Sequence, residues 1–87
     1  MNIHTISPRE DRINAEHCLE TMHIFLNDPD LSVYFRSRRE YAPIEGPAKS
    51  FEFYASRLDS TGQNTGKLRT RYSNLRQKLE EMKRQGN

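Results

Sequence analysis

Glu20 and His23 form an E-x-x-H string, the spacing at which one helix face offers two ligands to a metal ion in di-iron helical bundles. Such sites need a second E-x-x-H string and further glutamates. The sequence holds no other string of this kind. Because the ligand set is incomplete, we expect neither a metal site nor a cofactor.

Cys18 is the single cysteine, and it follows His17 directly. Neighbouring residues of a helix point in different directions, so this pair does not form a nucleophile and its base. One cysteine also excludes an intrachain disulfide and fits a reducing compartment. We expect Cys18 to be a small core residue.

The segment from Ser60 to Lys67 carries Gly62 and Gly66 before a predicted helix, as a phosphate-binding loop would. The loop motif needs four residues between its glycines and a hydroxyl after its lysine. Here three residues separate the glycines, and Leu68 follows the lysine. The segment therefore predicts a flexible connector, and with no paired catalytic groups we expect no enzyme.

The densest basic cluster outside the last predicted helix contains Arg36, Arg38 and Arg39, between Tyr34 and Tyr41. Arginine and aromatic side chains together recognise acidic proteins or nucleic acids. The simpler interpretation is a solvated face whose aromatic rings turn into the core. Among binding functions we favour an acidic protein partner over nucleic acid, because the net charge is only +2.

The composition indicates one small domain with a thin core. Only 33% of the 87 residues are hydrophobic, and the mean hydropathy is −0.99. We therefore expect marginal stability or oligomerisation. The sequence has no apolar run long enough to cross a membrane and no signal-peptide pattern, so we expect a cytoplasmic protein that does not bind membranes.

Capping and breaking residues mark the first helix. After a short lead-in over 1–6, Ser7-Pro8-Arg9-Glu10 matches a capping box with proline at the first helical position. These residues predict a helix over 7–26. The segment Asn27-Asp28-Pro29-Asp30 ends it.

Three further segments follow within the same single domain of residues 1–87. A helix is predicted over 31–42, although Leu31, Val33 and Phe35 alternate and leave a short strand as the alternative. Pro43 ends this segment. The remaining helices are predicted over 47–59 and 67–84, with residues 85–87 frayed.

The last two segments carry apolar seams at heptad spacing, which predict an antiparallel helical hairpin. The seams are Ile44, Ala48, Phe51, Ala55 and Leu58 in one segment, and Leu68, Tyr72, Leu75, Leu79 and Met82 in the other. Antiparallel pairing places each alanine opposite a large residue, Ala48 opposite Met82 and Ala55 opposite Leu75. It also places Leu58 level with Tyr72.

The flanks of the two seams have opposite charges. Antiparallel pairing brings together Glu45 with Lys83, Glu52 with Arg76, and Asp59 with Arg69. On the other flank of the last helix, Arg71 and Lys78 have no partner within the hairpin. Either the first helix covers them through Asp11, Glu16 and Glu20, or an external acidic partner does.

We predict an all-α fold, a three- to four-helix bundle with a C-terminal antiparallel helical hairpin. The predicted function is that of a small non-catalytic protein-interaction factor: an adaptor, inhibitor or regulator that binds a larger protein or complex with an acidic surface. The predicted contact residues are Tyr34, Arg36, Arg38, Arg39, Tyr41, Arg71 and Lys78. The alternatives are a nucleic-acid-binding accessory protein using the same residues, and a structural homo-oligomer that dimerises through the first helix, where Ile13 and Ile24 lie off the main apolar stripe.

Overall fold

The computed structural model describes residues 7–85, which form four α-helices and no strand. The helices are α1 (Pro8–Asn27), α2 (Pro29–Arg38), α3 (Ala42–Ser60) and α4 (Gly66–Gln85). The predicted all-α bundle is confirmed. The lead-in over 1–6 and the last two residues lie outside the described residues.

The predicted capping box begins α1. The Ser7 hydroxyl accepts from the Glu10 N–H at 3.2 Å, and the Glu10 carboxylate accepts from the Ser7 N–H at 3.3 Å. At the other end, Asp28 separates α1 from α2, and its carboxylate accepts from the Leu31 N–H at 3.0 Å. One residue thus ends one helix and caps the next.

Residues 31–38 are helical and do not form the strand that the sequence allowed as an alternative. The helix α2 ends at Arg38. Arg39 follows in the left-handed conformation, with φ of 56°. Pro43 does not end this helix; it lies in the first turn of α3, which begins earlier than residue 47. Proline is well placed there, because the first N–H groups of a helix have no partner within the helix.

Three long helices run alternately up and down. Asp11 of α1 contacts Arg57 near the end of α3, so α1 and α3 are antiparallel. Glu20 contacts Arg71, and Asn27 contacts Lys78, so α1 and α4 are parallel. The short α2 packs on the ends of α1 and α4.

One continuous core joins the four helices. Every residue of the two apolar seams is buried except Tyr72, which is partly buried. Predicted to lie level with Leu58, Tyr72 instead stacks on Phe51, with ring centroids 4.4 Å apart. The stacking covers the ring, and Glu52 accepts a hydrogen bond from its hydroxyl. Burial and Glu52 together raise the pKa of Tyr72 to about 12.

Two of the three predicted flanking ion pairs are confirmed: Lys83 with Glu45, and Arg69 with Asp59. The third prediction, Glu52 with Arg76, is wrong. Glu52 accepts from the Tyr72 hydroxyl, and Arg76 contacts Glu80 one turn further along α4, at 3.3 Å. The Tyr72 hydroxyl thus takes the place at the Glu52 carboxylate that was predicted for Arg76.

These contacts predict a loss of stability in acid. The hydrogen bond from Lys83 lowers the pKa of Glu45, and hydrogen bonds from Thr65 and then Arg69 lower the pKa of Asp59. Depressed pKa values stabilise the fold above the unfolded values of about 4 and lose that effect as pH falls below them. Thermal unfolding measured from about pH 5 down to about pH 3 should therefore show a falling midpoint temperature.

The double variant Glu45→Gln/Asp59→Asn is the control for this prediction. Its melting midpoint should fall less between the same two pH values, because two of the carboxylates responsible are gone. Equal slopes for the parent and the variant would contradict the assignment.

Two glycines predict stability changes of different size. Gly62 has φ of +78°, so Gly62→Ala should destabilise the fold by about 1 kcal/mol. Gly46 lies within α3, directly before Pro47. There the gain in helix propensity from an alanine is offset by crowding between its Cβ and the proline ring, so Gly46→Ala should change stability by less than about 0.5 kcal/mol. Urea unfolding of both variants measures the difference, and a loss at Gly46 as large as at Gly62 would contradict these conformations.

Candidate functional site

The second helix has one buried face and one exposed face. Phe35 is 5% exposed and packs edge-on against Phe25 of α1, with ring centroids 5.7 Å apart. Leu31 packs on the same core. This anchoring turns Val33 and Tyr34 outward, where they are 55% and 48% exposed. Tyr34 of the arginine and aromatic cluster is therefore exposed to solvent and not turned into the core.

Tyr34 is held in place by its neighbours. The Arg38 guanidinium, one turn along α2, lies 4.9 Å from the centre of the tyrosine ring. The same ring packs edge-to-face with Phe35, at a centroid distance of 5.8 Å. A cation over an exposed ring contributes about 0.5–1 kcal/mol. The arrangement orders an aromatic side chain at the surface together with a positive charge.

Arg36 and Arg39 are the other two arginines of the cluster. Arg36 donates to the amide oxygen of Gln85 at 3.1 Å, which places it against the end of α4. Arg39 follows the helix, with its backbone N–H bonded to the Arg36 carbonyl, and its side chain is exposed. We name the set of Val33, Tyr34, Arg36, Arg38 and Arg39 the α2 surface.

The arginines of the α2 surface differ from most basic residues of α3 and α4. Within residues 7–85 none of these three forms an ion pair with a carboxylate. In α3 and α4, five basic side chains form ion pairs with carboxylates: Arg57, Arg69, Arg71, Arg76 and Lys83. The positive charge of α2 is thus not neutralised by carboxylates of the described fold.

Tyr41, also predicted as a contact residue, occupies a different environment. It precedes the first turn of α3 and is partly buried against the core. Lys83 lies 5.8 Å from its ring centre. Its hydroxyl is buried and has no hydrogen-bond partner among the described residues. Tyr41 contributes packing more than accessible surface.

Arg71 and Lys78 have partners on α1. Arg71 contacts the Glu20 carboxylate at 3.0 Å, and Lys78 donates to the Asn27 side-chain oxygen at 2.9 Å. Glu20 therefore plays the covering role that the sequence analysis gave to the first helix. Asp11, named for the same role, pairs with Arg57 instead.

The residues considered for metal binding and catalysis make ordinary structural contacts. Glu20 faces Arg71, and the His23 ring lies 3.0 Å from the Asn27 side-chain amide. Burial raises the pKa of the Cys18 thiol, which disfavours the reactive thiolate. Residues 7–85 contain no group of three His, Cys, Asp or Glu side chains placed to share a metal ion. Among the same residues, no helix has the length and apolar character to cross a membrane.

Sequence reasoning missed one further aromatic surface. Phe53 on α3 is 55% exposed, and the Arg57 guanidinium lies 5.4 Å from its ring centre. Tyr54 contacts the same ring edge-on. The sequence carries a signal for this exposure, because Phe53 lies outside the heptad seam of its helix.

No protein-family model, curated protein or solved structure matches this chain.

Proposed function

We propose that the protein is a small non-catalytic interaction factor that binds an acidic surface of a larger protein or complex through the α2 surface. The observation that carries the proposal is a set of three arginines without a carboxylate partner among the described residues, one of which, Arg38, lies over the exposed ring of Tyr34. Adaptors, inhibitors and regulators of larger complexes share this mode of action.

Charge complementarity supports an acidic partner. Arg38 and Arg39 are exposed, and their guanidinium groups can each form two parallel hydrogen bonds to a carboxylate. Binding would neutralise charge that the described fold leaves unpaired. Such complementarity raises the association rate and selects the partner.

Tyr34 supplies the apolar part of the contact. Tyrosine and arginine are the residues that dominate binding energy in protein interfaces, where a ring fills a pocket at the centre of the contact. Arg38 and Phe35 already hold the ring, so little side-chain freedom is lost on binding. Val33 extends the apolar area by one neighbouring residue.

Nucleic acid is the competing partner for the same arginines. A basic surface that binds phosphates needs several cations along a groove. Here Asp30 lies on the same helix, and the net charge of the chain is only +2. These features favour a protein with a compact acidic patch. The proposal also includes action in the cytoplasm and without a cofactor.

Affinity capture with two charge-matched variants tests the proposal. Arg38→Glu/Arg39→Glu alters the α2 surface, whereas Arg9→Glu/Lys49→Glu changes the net charge equally at exposed positions of α1 and α3. Partners captured by the parent from its native cell extract are identified by mass spectrometry. The affinity of each captured partner is then measured for the purified parent and for the two variants.

The proposal predicts that the α2 variant loses the captured partner while the control variant keeps it. The loss should be at least about tenfold in affinity, as expected when buried charge pairs are replaced by like charges. Equal binding by both variants would refute the α2 surface. Steeply salt-dependent retention of DNA or RNA by the parent, lost in the α2 variant, would favour nucleic acid instead.

A further inference from the structure

A second row of side chains runs along the solvent side of α1, opposite its core face. It consists of Ile13, His17, Glu20 and Ile24, which recur at steps of four, three and four residues as in a heptad seam. All four are exposed, the two isoleucines by 53% and 48%. The row adds nothing to the core of its own chain.

The order of residues in this row is self-complementary. If a second copy approaches in the antiparallel direction, with a two-fold axis at the middle of the row, Ile13 packs on Ile24 of that copy. The same axis places His17 opposite Glu20. A parallel approach would oppose Glu20 to itself, a like-charge contact that disfavours pairing.

The charges beside the row are balanced within each chain. The groove between α1 and α4 is lined by Glu16 and Glu20 on one side and by Lys67 and Arg71 on the other. Glu20 already contacts Arg71 of its own chain at 3.0 Å. Two acidic and two basic side chains give this flank no net charge, so it does not repel a second copy, and the order of residues in the row sets the direction.

We propose that the outer face of α1 is a dimer interface on which a second copy of this chain packs antiparallel, with Ile13 of each copy against Ile24 of the other. The inference does not depend on the α2 surface, which lies on a different element. The dimer would also affect the α2 surface, because α2 packs against the C-terminal end of α1. An antiparallel dimer presents two α2 surfaces at opposite ends and could bind a repeated partner with avidity.

The dimer is expected to be weak. A helix of 20 residues is about 30 Å long and about 10 Å wide, so contact through α1 covers less than the roughly 800 Å² per partner of stable complexes. Dimerisation should therefore depend on concentration. Sedimentation equilibrium of the full chain, over concentrations up to the millimolar range, is the appropriate measurement.

Two variants test the pairing of the isoleucines. Ile24→Glu places a charge against Ile13 of the other copy and should weaken dimerisation at least about tenfold. Ile13→Arg/Ile24→Glu should restore dimerisation, because each arginine then meets a glutamate. Both positions are exposed, and circular dichroism checks that the fold is kept. A parent that stays monomeric, an Ile24→Glu variant that dimerises like the parent, or a double variant without recovery would each overturn the proposal.

Cysteine cross-linking tests the direction independently. In a Cys18→Ala background, a mixture of Ile13→Cys and Ile24→Cys proteins should oxidise to a mixed disulfide faster than a Ser56→Cys control. Each single-cysteine protein alone should not exceed that control, because its two cysteines lie about 16 Å apart, well beyond the limit of about 7 Å. Rapid cross-linking of each protein with itself would indicate parallel packing and overturn the arrangement.

Discussion

Arg57→Met should lower the free energy of unfolding by about 3 kcal/mol or more. Arg57 Nε donates to the Asp11 carboxylate at 3.1 Å, and the Asp11 side chain is only 3% exposed. The second carboxylate oxygen is already without a partner among the described residues. Removing the arginine therefore leaves a buried negative charge with no compensating cation.

Neutralising Asp11, the other member of this ion pair, should have a smaller effect. In Asp11→Asn the buried group becomes neutral, and Arg57, whose side chain is 35% exposed, can turn toward water. We expect a loss of about 1–2 kcal/mol. The double variant Asp11→Leu/Arg57→Met should recover most of the stability, because apolar residues of similar size often replace a buried ion pair without loss. Chemical unfolding of the three variants gives the comparison, and a double variant worse than Arg57→Met would contradict it.

Phe51→Ala should destabilise the fold by about 3–5 kcal/mol. The Phe51 side chain is fully buried and stacks on Tyr72, so truncation removes contacts on both sides of the α3–α4 seam. Domains of this size have only a few kcal/mol of net stability. The variant should be substantially unfolded at room temperature by circular dichroism.

Phe53→Ala is the matched control for this prediction. It makes the same change two residues away on the same helix, where the side chain is 55% exposed. We expect a loss below about 1 kcal/mol, limited to the contacts with Tyr54 and Arg57. Similar losses for the two variants would mean that the side of α3 facing the core is misassigned.

The sequence was sufficient to predict the hairpin because heptad spacing reports burial directly. Ile44 and Leu79 lie on their predicted core faces, and the Lys83–Glu45 pair has the predicted antiparallel register. The start of α3 was predicted too late because proline ends one helix and also begins another. Pro43 fits both roles, and only packing decides between them.

The closest packing lies between α1 and α3, whereas the sequence predicted the closest pairing between α3 and α4. Distances between helices depend on the size of the side chains between them. Ala15 of α1 is fully buried, as is Ala55 of α3. Heptad spacing predicts which residues of one helix are buried, but not against which other helix they pack.

The candidate site was predictable in composition but not in arrangement. The sequence placed Tyr34, Arg38 and Tyr41 in one cluster, but Arg39 leaves the helical conformation between them. Helical periodicity cannot be extended across that residue, so the burial of the Tyr41 hydroxyl beneath the surface had no sequence signal. Arg71 pairs with Glu20 for a similar reason: the register of α1 against α4 is set by tertiary packing.

Photocrosslinking in the native cell tests whether the α2 surface contacts a partner. Benzoylphenylalanine replaces Val33 in one protein and Phe53 in another, two positions of equal exposure, 55%, on different helices. We expect irradiation to link the Val33 position to an acidic protein partner, and Arg38→Glu/Arg39→Glu to abolish this adduct. An adduct from the Phe53 position alone, or one from Val33 that survives the arginine changes, would mean that the partner does not bind through the α2 surface.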